Sequence, residues 1–333
     1  MMLYPTVIAL MVGSFLLCFM LVISSAYGVR ILRKWDLRSG SELQLDLERR
    51  TYLISTLLAY ALGFQLVSLF LFIYTADDMH RLFVGAMCAA GTLNVNRFGY
   101  PTLIFKITNF LLAAVWLIMN YADNRAYDYP LIRKKYAFLL IMLPFILTET
   151  VLQTLYFLQM KPNVITSCCG TLFSEESTSV TSGIASLPSI PTKIAFYAST
   201  GLTVFSGWMF WRSGKGGHFF SMAAPVTFVV SVAALISFIS LYFYELPTHH
   251  CPFDILQREY FYIGYLLYIA LLGGGATGIG VGVIMPFRRI KSLSIIVPRL
   301  QRRLALVSSV LYFGFALIST VRMLTTSFRL EGY

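Results

Sequence analysis

Apolar stretches follow one another almost end to end along this chain, near 5–27, 52–74, 101–121, 136–158, 193–212, 220–244, 262–285 and 304–325. A bilayer core is crossed by a helix of about 20 apolar residues. In lipid, the backbone N–H and C=O groups have to be bonded within the segment itself, which leaves helices as the spanning elements for runs of this kind. The pattern therefore predicts an all-α, polytopic integral membrane protein of about eight transmembrane helices. The 333 residues are 57% apolar and 12% charged, against roughly 25% charged in soluble domains. The connections are too short to fold alone, so 1–333 reads as a single transmembrane domain whose first partner is the lipid bilayer.

A net charge of +11 raises the question of nucleic acid, but the basic residues form no patch with interleaved aromatics. Arg30, Arg33, Lys34, Arg38, Arg49 and Arg50 follow the first span, and Arg125, Arg133, Lys134 and Lys135 follow the third. Arg212 and Lys215 follow the fifth, while Arg288, Arg289, Lys291, Arg299, Arg302 and Arg303 follow the seventh. Lys and Arg concentrate in cytoplasmic connections, so odd-numbered connections are expected inside and both termini on the non-cytoplasmic side. Nucleic acid is set aside as a partner, and a bacterial inner membrane is the expected location. No Lys or Arg precedes the first span, the reverse of a cleavable signal peptide's charge order. It is expected to stay as an anchor despite the small residues Ser24, Ser25 and Ala26.

This orientation leaves three outer loops, 75–100, 159–192 and 245–261. The second holds a Ser/Thr-rich stretch from Ser174 to Ser186, a composition that cannot bury a core. In the third, Pro247 and Pro252 bracket a turn, and an amphipathic pattern from Ile255 to Tyr262 predicts a short interfacial helix. Within the seventh span, Gly274, Gly278 and Gly282 recur at four-residue spacing, a small-residue ridge that lets another helix pack closely.

The chemical signal lies in the outer loops. Of five cysteines, only Cys18 falls inside a span. Cys88, Cys168, Cys169 and Cys251 fall outside, together with His80, His249 and His250, and Met79 and Met87 flank His80 and Cys88. Cys88 and the Cys168–Cys169 pair are each followed shortly by Gly-Thr-Leu, a weak echo between the two loops. Thiolate, thioether and imidazole together suit Cu(I), and thiolate with imidazole suits Zn(II). The expected function is an extracytoplasmic Cys/His/Met centre that binds, relays or transports a soft metal, copper first and zinc second. Cys88, Cys168, Cys169, His249, His250 and Cys251 are the principal ligands in that reading, with Met79, His80 and Met87 in support. A periplasmic metallochaperone or thioredoxin-like protein, or further membrane subunits, are the partners it implies.

Two other readings stay open. The same cysteines would serve a membrane thiol–disulfide oxidoreductase, since a neighbouring imidazolium lowers a thiol's pKa, although no C-x-x-C occurs. They would equally staple the loops of a scaffold subunit in an oxidising compartment. Whether the chain is an enzyme is left open by all three. Haem is not expected, because no span carries a central histidine and C-x-x-C-H is absent; no nucleotide-binding motif occurs either. Inside the spans, Lys106 and Glu149 are the ionisable residues that matter. Charges at that depth face the bundle interior or pair, so a Lys106–Glu149 pair between consecutive antiparallel helices is expected.

Overall fold

The computed structural model describes residues 2–36, 41–161, 165–166, 183–184 and 186–330. All the regular structure among them is helical. The elements in order are α1 (Pro5–Lys34), α2 (Glu42–Asp78), α3 (Ala89–Leu93), α4 (Gly99–Asn124), α5 (Ile132–Leu158), α6 (Ser189–Ser213), α7 (Gly217–Ala234), α8 (Ser240–Tyr244), α9 (Ile263–Val283) and α10 (Ile296–Thr325). A π-turn at Leu235–Ile239 joins α7 to α8 without a break in the helical path. Among the described residues, seven helical stretches are long and apolar enough to cross a membrane: Pro5–Lys34, Glu42–Leu82, Gly99–Asn124, Ile132–Leu158, Gly217–Tyr244, Ile263–Arg289 and Ile296–Thr325. The remaining long helix, α6, has 25 residues, but Ser, Thr, Gly and Tyr recur along it and its apolarity falls short of the other seven.

The chain divides into two compact units. One comprises Met1–Thr75, Asn96–Met160 and Ile284–Leu300, the other Ala76–Val95, Lys161–Val283 and Gln301–Tyr333.

In the first unit, α5 packs against both α1 and α4. Its core runs from Leu17, Leu21 and Ile31 through Leu58 and Leu62 to Trp116, Tyr136, Leu139 and Met142. Two fully buried ion pairs join α4 to α5. Lys106 meets Glu149 at 2.8 Å, and Lys135 meets Asp123 at 2.8 Å. The sense of the pair is reversed between them, with the cation on α4 in the first and on α5 in the second. Lys135, one of the basic residues that follow the third span, is buried within α5: it is 1% exposed, bonded to Asp123 and to the Asn120 side-chain oxygen at 3.0 Å. A lysine pointing inward from the end of a span is tolerated because the carboxylate and amide satisfy it.

In the second unit, α7 lies between α6 and α9. The glycine ridge of α9 makes this possible. A Cβ at Gly278 would stand 2.4 Å from the Ala224 Cβ on α7 and 3.1 Å from the Ser308 hydroxyl on α10, and one at Gly274 would press on the Tyr312 ring at 3.3 Å. Close approach also lets side chains reach backbone oxygens. Ser308 donates to the Gly274 carbonyl, Tyr312 to the Ala224 carbonyl and Gln301 to the Val281 carbonyl. Such bonds fix helix rotation as well as distance, because each needs one particular side chain to face one particular carbonyl.

Candidate functional site

The segment carrying Cys88 and the loop carrying Cys251 both belong to the second unit. Cys88 is the N-cap of α3, a five-residue helix that is buried throughout. Asp77, near the end of α2, holds that helix start: its carboxylate accepts the Ala89 N–H at 3.2 Å and the Gln257 side-chain amide at 3.4 Å. Gln257 also donates to the Met87 carbonyl at 2.8 Å. One glutamine from the third loop thereby reaches Met87 directly on one side of Cys88 and, through Asp77, Ala89 on the other.

Cys251 is positioned from α8. The Tyr244 hydroxyl donates to the Cys251 carbonyl at 2.5 Å and accepts the Ile255 N–H at 3.0 Å. It closes the turn from Cys251 to Ile255 around one buried phenol, and Tyr268 of α9 donates to the Pro252 carbonyl at 2.6 Å. The chain then makes two 3₁₀ turns, Asp254–Leu256 and Arg258–Tyr260. The short helix expected over Ile255–Tyr262 is replaced by these turns, because Phe261 and Tyr262 adopt positive φ of 55°, outside the right-handed helical region.

These restraints bring two sulfurs and a carboxylate together. Cys88 Sγ and Cys251 Sγ are 3.4 Å apart; both are unbridged thiols and both are wholly buried. Cys251 Sγ donates to Asp254 Oδ1 at 3.6 Å. Ligand atoms of Cys88, Cys251 and Asp254 all lie within 4.8 Å of one another, the group of His, Cys, Asp or Glu donors that meets this condition among the described residues. The other oxygen of Asp254 holds His249 Nε2 in a short contact, and the His249 ring stands edge-on to Tyr244, centroids 4.7 Å apart. Burial alone would push the Asp254 carboxyl upward; hydrogen bonds from His249, Cys88 and Cys251, with the His249 charge, outweigh it and hold the group below the ordinary carboxylate range. Asp254 is therefore an anion at neutral pH, poised between two thiols and an imidazole.

The remaining residues singled out by sequence are placed differently. His250 Nδ1 meets the Ile236 carbonyl at 3.0 Å, inside the π-turn. Such a turn displaces the regular backbone pairing, and His250 supplies a partner to it. His80 Nδ1 contacts the Asp77 carbonyl. Met79 is buried, whereas Met87 is 70% exposed. Cys168 and Cys169 lie outside the described residues. Thr166, two positions before Cys168, is bonded to the Cys88 segment: its N–H donates to Val84 O at 3.0 Å and its hydroxyl to Gly91 O at 3.0 Å.

Sequence reasoning missed Asp254, Asp77 and Gln257. Only Asp254 carried a signal, since it stands three residues after Cys251, a spacing at which a tight turn returns one side chain to another.

The intramembrane charges belong to the first unit. Glu149 accepts from Lys106 on one oxygen, and on the other from Gln65 and Asn109, each at 2.6 Å. Lys106 also donates to Ser68 at 3.2 Å and lies 5.4 Å from the centre of the Phe72 ring. Both charges are saturated by neighbours from α2, α4 and α5. Gly274, Gly278 and Gly282 serve the helix contacts described above.

No known family, curated protein or solved structure matches the chain.

Proposed function

We propose that this chain is an eight-helix membrane protein, with both termini outside, that binds and passes on a thiophilic metal ion at Cys88, Cys251 and Asp254. The eighth span in this reading is α6, and the orientation follows from the basic residues of the odd-numbered connections. That orientation sets the site on the extracytoplasmic face of a bacterial inner membrane, where an ion released by a periplasmic carrier would reach it.

The observation that carries the reading is the convergence of three donor atoms within 4.8 Å. Two thiolates and a carboxylate, with an imidazole bonded to that carboxylate, form the kind of set and second layer that hold zinc. The carboxylate oxygen moves the preference from Cu(I), which favours sulfur throughout, to Zn(II). Cys168 and Cys169 remain proposed as further sulfur donors, supported by the attachment of Thr166 beside Cys88. The burial of both sulfurs argues against exchange with another protein's disulfide, because a thiolate has to approach the sulfur it attacks directly.

Metal analysis of reduced, detergent-purified protein tests the reading. One zinc per wild-type chain is expected, with the stoichiometry lost in Cys251→Ser and in Asp254→Ala. Wild-type protein that takes up no zinc or copper(I), or variants that bind as the wild type does, would refute it.

A further inference from the structure

The distance between the two sulfurs lies between two chemical end points. Thiolates sharing one tetrahedral zinc at about 2.3 Å each stand about 3.8 Å apart, whereas a disulfide draws them to about 2.05 Å. From the 3.4 Å observed, a few tenths of an ångström outward reaches the first. About 1.4 Å inward, within the swing of two cysteine side chains, reaches the second. No side chain has to leave for either movement, since the sulfurs already contact each other.

We propose that Cys88 and Cys251 are a redox gate on the metal site, closed by a small hydroperoxide, hydrogen peroxide being the simplest. This inference rests on the metal reading above. One sulfur, as thiolate, attacks a peroxide oxygen; the S–O bond forms, the O–O bond breaks, and the departing hydroxide takes that thiol's proton as water. The second sulfur then attacks the sulfenic acid. The S–S bond forms, the S–O bond breaks, and a second water leaves with the second thiol's proton. Two electrons pass from the sulfur pair to the two peroxide oxygens, and two thiols with one peroxide give one disulfide and two waters; from the zinc-loaded site, where both sulfurs are already thiolates, the two protons come from solvent and the zinc ion is released.

The oxidant's size follows from burial. Neither sulfur has any exposed surface, so a folded partner carrying a disulfide has no line of attack, while a molecule little larger than water needs only a brief opening of the loops. The metal consequence follows from the donor count. Once the sulfurs are joined, the centre keeps Asp254, with His249 bonded to it, and has lost the two sulfur donors that stand within reach of that carboxylate.

The test uses the full chain, reduced and zinc-loaded in detergent, then treated with hydrogen peroxide. Peptide mapping should find Cys88 linked to Cys251, zinc occupancy should drop at least tenfold, and reductant with fresh zinc should restore it. Linkage of Cys88 or Cys251 to any other cysteine, sulfinic acid without a link, or retention of zinc by the linked protein would overturn the gate. A reduced protein that never binds zinc overturns the metal reading, and the gate with it. In that case the mapping still reports on the dithiol separately, so the two failures are told apart.

Discussion

Replacing Lys106 by Met while Glu149 is kept should be among the most damaging single changes in the first unit. The pair is wholly buried, 0% and 2% exposed at the side chains, so Lys106→Met leaves a carboxylate in the protein interior with only Gln65 and Asn109 as donors. Breaking one partner of a buried pair costs about 3–5 kcal/mol, whereas replacing both by apolar or neutral groups of similar shape is close to neutral. Glu149→Gln should cost a similar amount, because it strands Lys106 with Ser68 and the face of Phe72. The double variant Lys106→Met/Glu149→Gln should lose less than either, giving a coupling energy of at least about 3 kcal/mol, more than a hundredfold in the unfolding equilibrium. Reversible unfolding in mixed micelles, run on all four proteins of the cycle, measures it. Additive losses, with a coupling within about 0.5 kcal/mol of zero, would show that the two charges do not depend on each other.

Two further outcomes follow from the second unit. Gly278→Leu should force α9 from α7, since even a Cβ there would stand 2.4 Å from the Ala224 Cβ; Gly314→Ala, with nothing within 4 Å, should be neutral or stabilise by up to about 1 kcal/mol through helix propensity. Thermal unfolding of the two variants side by side checks this, and equal effects would refute it. Tyr244→Phe should cost about 1–3 kcal/mol by leaving the Cys251 carbonyl and Ile255 N–H without their shared partner. It should also weaken zinc binding about 10–100-fold by releasing Asp254 from its turn. A zinc titration of unchanged affinity would remove Tyr244 from the support of the site.

The helices were legible because lipid imposes length and apolarity on every spanning segment, and both are written directly in the residues. The ends were less so: α2 begins at Glu42 and α10 at Ile296, ahead of the apolar runs, because polar residues continue a helix whose hydrogen bonds are already established. Of the site, the sulfurs were visible by type and by their place in the connections between apolar runs. Their carboxylate was not, because Asp254 among fifteen acidic residues stands out only once Tyr244 has closed the turn. His250 looked like a ligand by adjacency to Cys251, yet its contact is with Ile236, in a π-turn that no periodicity announces. Lys135 resembled the topological lysines around it, and only the antiparallel packing of α4 and α5 delivers Asp123 to it.

The two opposed pairs between α4 and α5 constrain more than their own neighbourhood. Seventeen residues separate Lys106 from Asp123, and fourteen separate Glu149 from Lys135, about 25 Å and 21 Å along their axes. Sliding one helix by a turn would part both contacts at once, and rolling it would carry a cation and an anion into hydrocarbon together. The hairpin is fastened at both ends by locks of opposite polarity, so neither a shifted nor a parallel arrangement can satisfy the same four side chains.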